Sequence, residues 1–359
     1  MIKKFTKKEK EQLAKQVIVY YDKQSRSLPW RDNPTPYYVW VSEIMLQQTR
    51  VKTVIDYFNR FIAAFPTIAD LAEANEDILL KQWEGLGYYS RARNLQKAAK
   101  IIVEKWEGCL PQEKDDLITL PGIGDYTAGA ISSIAYGKDE VAVDGNFIRV
   151  ASRLLAFNGN VWNAEGKHLI SDFWKSVLPK NQASAFNQGV MDIGATICLP
   201  NGEPHCKCCP ISKYCQSFQQ GNPLHYPVKK RKKKRTIQKK TVLLLYWNNQ
   251  VMIRKRPKKG LLGGLLEFPM IDGYVNKDEV ITWLKKRGYE VIRIKKGEQS
   301  KHIFSHIEWH MTSWEVEVNS FTVSERIDNA EQWVERGRIS EITLPTAFKV
   351  FRKRVECGK

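Results

Sequence analysis

The chain has 359 residues, 43% of them apolar and 11% aromatic, which is enough for two domains with a core each and excludes a disordered chain. No apolar run is long enough to span a bilayer, and MIKKFTKKEKEQL lacks the apolar centre of a signal peptide, so a cytoplasmic protein is expected. The net charge of +18 is concentrated: KKRKKKRTIQKK at 229–240 holds nine basic and no acidic side chains, whereas residues 1–228 together carry only +3. Such a block reads as an unpacked linker that would release counterions from a polyanion, giving salt-dependent nucleic-acid binding.

In chain order, residues 6–24 place Leu13, Val17, Tyr20 and Tyr21 at helical spacing. RSLPWRDNPTPYY is a proline-rich loop. VWVSEIMLQQT at 39–49 then predicts a helix with one anomaly. Glu43 stands among Val39, Trp40, Ile44 and Leu46, where desolvation would raise its pKa and make it a usable general acid. VKTVIDYFNRFIAAF continues as helix until Pro66, ADLAEANEDILLKQWEGLG predicts one further helix ending at Gly85 and Gly87, and SRARNLQKAAKIIVEKWEG another. Few strands are expected before residue 197.

LPGIGDYTAGAI at 120–131 is an interhelical turn. Pro121 fixes φ, and Gly122 and Gly124 allow positive φ and close approach of backbone to a ligand, an arrangement that suits phosphate as well as a plain connector. In EVAVDGNFIRVASRLL, Asp144 ends an apolar run and precedes a helix expected near Phe147. It reads as an N-cap, held ionised and free to face a developing cation. Five of the seven cysteines lie between residues 198 and 215, metal-ligand clustering for a cytosolic chain; His205 reads as a solvated loop residue. After residue 240 the character changes. TVLLLYWNNQVMIRKR predicts a hairpin at Asn248 and Asn249, DEVITWLKKRG a helix ending at Gly288, and SHIEWHMTSWEVEV a strand.

The LPGIG turn with an aspartate 20 residues after its second glycine resembles the helix–hairpin–helix DNA glycosylase superfamily. That resemblance implies that the turn, Gly122 and Gly124, grips a phosphate, and that Asp144 faces the sugar of an extruded nucleotide. The lyases of the superfamily, endonuclease III among them, have a lysine where Tyr126 stands here, so a monofunctional enzyme is expected. Similar enzymes hold a [4Fe–4S] cluster on Cys-x6-Cys-x2-Cys-x5-Cys. Cys198, Cys206, Cys209 and Cys215 match with a first gap of seven, which leaves Cys208 as a competitor; zinc is the alternative for four thiolates.

WRDNPTPYYVWVSEIMLQQTR and WEGLGYYSRARNL narrow the resemblance, over residues 28–218, to MutY-type adenine DNA glycosylases. The family implies Glu43 as acid, Asp144 as stabiliser of the cationic sugar with support from Asn146 and Tyr126, and Trp30, Arg31, Leu46 and Gln188 around adenine. It implies Gln48, Thr49, Leu86, Gly87 and Tyr88 facing 8-oxoguanine, Tyr88 as a wedge. GLLGGLLEFP resembles the entry to a Nudix domain without the acids that bind magnesium, and Phe304, Ser305 and His306 match a loop that touches 8-oxoguanine.

The expected architecture is multidomain: a mainly α helix–hairpin–helix catalytic domain at 1–225 with the iron–sulfur loop at 198–215, a basic linker at 226–240, and an α+β Nudix-like reading domain at 241–359. The expected partner is duplex DNA bearing adenine opposite 8-oxoguanine or guanine, bound by a monomer in the cytoplasm at the nucleoid. An endonuclease III-like lyase, a catalytically silent metal-stapled DNA-binding protein and a Nudix hydrolase with a DNA-binding appendage are the rival readings.

Overall fold

The computed structural model describes residues 4–228, 234–320 and 330–357. They form two compact units, one of residues 1–74 with 90–231 and one of residues 75–89 with 232–359.

Helices are α1 (Lys7–Gln24), α2 (Pro29–Asp32), α3 (Pro36–Leu46), α4 (Val51–Ala64), α5 (Ile68–Glu73), α6 (Glu76–Trp83), α7 (Ser90–Trp106), α8 (Lys114–Ile118), α9 (Asp125–Tyr136), α10 (Gly145–Leu154), α11 (Ala164–Val177), α12 (Ala183–Thr196) and α13 (Gln216–Gln219). All but α6 belong to the first unit. Thr6 opens α1 with a reciprocal capping box to Glu9, and Asn163 caps α11 through Gly166 N. The single helix expected from ADLAEANEDILLKQWEGLG is two. Ala74 turns to extended backbone and Asn75 caps a fresh start at α6, accepting from Asp77 N at 2.8 Å. The apolar period runs through the break, so periodicity alone hides it; the asparagine is the signal. A core of Leu13, Val17, Phe147, Leu154, Trp174, Phe186 and Val190 joins α1, α10, α11 and α12.

The second unit holds an eight-stranded sheet: β1 (Thr236–Trp247), β2 (Gln250–Lys255), β3 (Leu266–Glu267), β4 (Met270–Asp272), β5 (Tyr289–Lys296), β6 (Ser300–Ile303), β7 (Ile307–Ser320) and β8 (Glu331–Glu335). β1 and β7 run parallel at its centre and the other pairings are antiparallel. Val242 and Leu244 pack towards Phe348, Phe351 and Val355, which brings α15 (Lys349–Cys357) onto one face. Leu243 and Leu245 pack with Val280 and Leu284 of α14 (Lys277–Lys285) on the other. The unbroken apolar run in β1 is thus that of a strand covered on both faces. Asn248 and Asn249 turn the β1–β2 hairpin with φ of 43° and 62°, the left-handed pair that a two-residue turn requires.

The boundaries depart from the sequence-based ones. Thr236–Lys240, expected within the linker, pair with β7; residues 229–233 of the basic run lie outside the described residues. Residues 75–89 group with the C-terminal segment: Lys81 Nζ donates to Ser340 O at 2.7 Å, and Glu84 Oε1 accepts from Arg352 Nη1 at 2.6 Å and Leu344 N at 3.1 Å. These pairs are some 260 residues apart along the chain, beyond the reach of local pattern.

Candidate active site

A cleft of about 920 Å³ in the first unit gathers side chains from α2, α3, α9, α10, α11 and α12. α3 begins at Pro36, with Thr35 accepting from Tyr38 N at 3.2 Å, and is buried almost all round. Glu43 is 5% exposed and is the one ionisable carboxyl on this apolar helix. Burial pushes it up to about 7, and the nearby Asp144 charge adds to the rise; the Tyr126 hydrogen bond and the Arg31 charge oppose it.

Tyr126 Oη donates to Glu43 Oε2 from the first turn of α9. Its own pKa is raised well above the usual range by burial and by the charges of Glu43 and Asp144, so it remains a phenol and a donor. The turn before α9 sets this reach. Gly122 takes φ +83°, and a Cβ there would stand 2.9 Å from Asn94 Cβ. Gly124, expected also to use positive φ, has φ −103° and serves as the N-cap residue of α9 instead. Only one of the two glycines is therefore demanded by backbone geometry.

Asp144 caps α10. Its Oδ1 accepts from Asn146 N at 2.8 Å and Phe147 N at 2.9 Å, and its Oδ2 from Asn146 Nδ2 at 2.6 Å. Burial raises its pKa, which the sequence reading did not foresee. The three N–H donors and the Arg149 charge act in the opposite direction. With both oxygens accepting, the anion is the form its neighbours fit, whereas Glu43 has a single donor on one oxygen and room for a proton on the other.

Trp30, Arg31, Leu46, Gln48, Thr49 and Gln188 line the same cleft as Glu43, Tyr126, Asp144 and Asn146. Trp30 also packs edge-on to Phe58, and Gln188 Nε2 donates to Ser184 Oγ at 3.2 Å. Gln48 is exposed with φ 60°, a strained setting for a non-glycine residue. Leu86, Gly87, Tyr88, Phe304, Ser305 and His306 are in the second unit. There Tyr88, at φ 48° and half-exposed, shares a 2.6 Å hydrogen bond with Ser305 Oγ. Phe304 packs on Trp309, while Ser305 and His306 are exposed.

Several supports escaped the sequence reading. Arg91 Nη1 donates to the carbonyls of Ile44, Met45 and Gln47 at 2.7, 3.0 and 2.7 Å, closing the end of α3 that carries Glu43. Fully buried Asp192 holds Arg31 through both oxygens, at 2.8 and 3.0 Å, and Arg26 Nε at 2.7 Å. Arg149 Nη2 donates to Asn146 Oδ1 at 2.8 Å and Gly194 O at 2.7 Å, while its Nε donates to Cys198 O at 2.8 Å. Gly194 must lack a side chain, since a Cβ would lie 2.6 Å from Asn146 Cβ. A glycine inside a helix was the available signal.

Cys198, Cys206, Cys209 and Cys215 line one small cavity with Arg153, which donates to Cys198 Sγ at 3.1 Å and Leu199 O at 2.9 Å. Cys208 is exposed, its thiol on His205 O, and is outside that lining. Exposed His205 is outside it too. Burial raises Cys206 and Cys215 and pushes Cys209 up to about 12, each raised further by the other cysteines. Four half-buried thiols around one cavity fit a cationic metal group that would hold them as thiolates. No side-chain group among the described residues stands ready-made at metal-binding geometry.

Residues 41–177 match the family of HhH-GPD superfamily base excision DNA repair proteins, and residues 241–354 match the NUDIX domain. The chain is 37% identical over 327 residues to an adenine DNA glycosylase of Buchnera aphidicola subsp. Schizaphis graminum, covering 91% of this chain and 93% of that one. It is 29% identical to the adenine DNA glycosylase of Homo sapiens over 94% of this chain and 72% of the other. Among solved structures, a thermostable thymine-DNA glycosylase is 27% identical with a TM-score of 0.55, over 59% of this chain and 98% of that one. No helix among the described residues is long and apolar enough to cross a membrane. A helical glycosylase unit with paired carboxylates in its cleft, a Nudix-type sheet unit and this near full-length similarity agree: the chain belongs to the adenine DNA glycosylases of base excision repair.

Proposed function

We propose that the substrate is adenine opposite 8-oxoguanine or guanine in duplex DNA, and that Glu43 and Asp144 carry its hydrolysis. The observation that carries this reading is the pairing of a buried and a partly buried carboxyl in one cleft, Glu43 with a single phenol donor and a pKa near 7, Asp144 with three N–H donors. The adenine nucleotide rotates out of the stack into the cleft. Glu43 gives its proton to adenine N7, the C1′–N9 bond breaks with its electron pair leaving on the base, and Asp144 faces the oxocarbenium ion. Water then adds to C1′ and its proton returns to Glu43. Tyr126 holds Glu43 Oε2, and Asn146 steadies Asp144. With no lysine at the Tyr126 position, no Schiff base forms.

In the second unit, Leu86, Gly87 and Tyr88 meet the orphaned 8-oxoguanine with Phe304, Ser305 and His306, a grouping that the Tyr88–Ser305 hydrogen bond supports. Gln48 and Thr49 are the first unit's own candidates for contact with 8-oxoguanine. The Nudix-like unit reads rather than hydrolyses. α14 has acids only in its first turn, and Glu279 is committed to the cap of that helix through Asn276 N. Cys198, Cys206, Cys209 and Cys215 hold one [4Fe–4S] cluster, which braces the 198–215 loop. The chain acts as a monomer in the cytoplasm, at the nucleoid.

The test is adenine release from duplexes with A opposite 8-oxoguanine, G or T. Release is expected from the first two and little from the third; equal release from all three, or a borohydride-trapped adduct, would overturn the reading. Purified protein should show thiolate-to-iron absorption in the visible that bleaches on iron chelation. A colourless zinc protein is the contrary result.

A further inference from the structure

The cleft is not lined by catalytic side chains alone. Lys167, His168, Ser171 and Lys175 of α11, with Trp162 just before it, line it too. Lys167, Ser171 and Lys175 recur every four residues, about 6 Å apart along the helix. Gly166, Ile170, Trp174 and Val177 of α11 are buried, so the two lysines sit on the face turned away from the core. The acidic residues of the helix, Glu165 and Asp172, are not in the lining.

Charge sorts these lysines from the other cations of the cleft. Arg26 and Arg31 share the Asp192 carboxylate, which holds both in place, and Asp125 is held by Lys114. Lys167 and Lys175 are exposed and form no ion pair among the described residues. They stand in a cleft that also holds the Asp144 carboxylate, whose charge by itself would repel a nucleic-acid strand. Trp162 is 48% exposed, yet its backbone is fixed: its N–H donates to Asn160 Oδ1 at 3.0 Å, and Val161 beside it is fully buried. α11 lies so close to this segment that a Cβ on Gly166 would be 2.1 Å from Asn160 O. The tryptophan is therefore presented to solvent on a rigid mount.

We infer that Lys167, Ser171 and Lys175 form a track for the phosphodiesters flanking the extruded adenine on its own strand, with Trp162 as a stacking surface for a neighbouring nucleotide. The inference rests on the cleft being the adenine site. An extruded nucleotide stays tied to its own strand, so the phosphates on either side of it are the ones brought to the cleft wall that α11 forms. The cations answer the repulsion of Asp144 and hold the strand at the cleft.

The experiment uses full-length Lys167→Ala/Lys175→Ala and Trp162→Ala, and a duplex carrying a hydrolysis-resistant adenosine analogue opposite 8-oxoguanine. The double variant should bind with a log K against log salt slope smaller by about 2, one unit for each lost phosphate contact. Its loss in turnover should fall on KM rather than on the saturating rate. Trp162→Ala should weaken binding about tenfold, with Trp162→Phe largely restored. Neutral methylphosphonates beside the adenine should weaken the wild type and leave the double variant indifferent; in the opposite strand they should affect both alike. An unchanged salt slope, or full methylphosphonate sensitivity in the double variant, overturns the track. Wild-type protein that shows the phosphate dependence yet releases no adenine overturns the glycosylase reading of the cleft instead.

Discussion

Glu43→Gln is expected to bind the mispaired duplex and to release adenine about 10²–10⁴-fold more slowly, the usual loss when a general acid is removed. The pH dependence follows from the same residue. With a pKa near 7 in the folded protein, the acid form predominates below pH 7, so the wild-type single-turnover rate should hold there and fall about tenfold per unit above it. Stability also falls as pH rises, but over a lower window than activity. Below pH 4.5 the carboxyl is protonated in both folded and unfolded chains and exerts no bias. As pH rises from 4.5 to 7 the unfolded chain ionises while the folded one keeps its proton, so stability is lost, by on the order of 3 kcal/mol once both are ionised. Glu43→Gln has no such titration, and Tyr126 can still donate to its amide oxygen. The variant should therefore melt above the wild type at pH 8 and level with it near pH 4. A pH-independent difference in Tm, or turnover within tenfold of wild type, would sink the assignment.

The second large effect separates two jobs of Asp144. Asparagine caps helices as well as aspartate, so Asp144→Asn keeps the bonds from Asn146 N and Phe147 N. Its new amide group faces the Asn146 amide where Oδ2 accepted, at a cost of about 1 kcal/mol in stability. The lost charge is felt only when the sugar becomes cationic, and removing one such electrostatic partner costs about 10²–10³-fold in rate. The expected variant is nearly as stable as wild type and almost inactive at saturating DNA. A mere cap would give the same small change in Tm with a normal rate, so a single-turnover measurement, with melting to confirm the fold, tells the two apart.

What could be read in the sequence was whatever is written locally. Helices that follow one period, the Asn248–Asn249 turn and the apolar run of β1 leave their marks within a dozen residues, and the structure has them. Glu43 stood out because an ionisable group on an apolar helix is rare, and the cleft indeed joins it to Tyr126, Asp144 and Asn146. What could not be read depends on partners far along the chain. Asp192 is 161 residues from Arg31, and Arg91 reaches back 47 residues to Ile44; neither has an unusual neighbourhood in sequence. The rise in the Asp144 pKa was missed for a related reason. Its cap bonds are local and legible, whereas its burial is contributed by other helices. Gly124 illustrates the opposite error, a glycine credited with a conformation it does not use.

The Arg149 guanidinium couples the cysteine loop to the cleft. One planar group ties the first cysteine's carbonyl to the amide that clasps Asp144. A displacement at Cys198 is therefore carried to the Asp144 carboxylate through the side chains of Arg149 and Asn146.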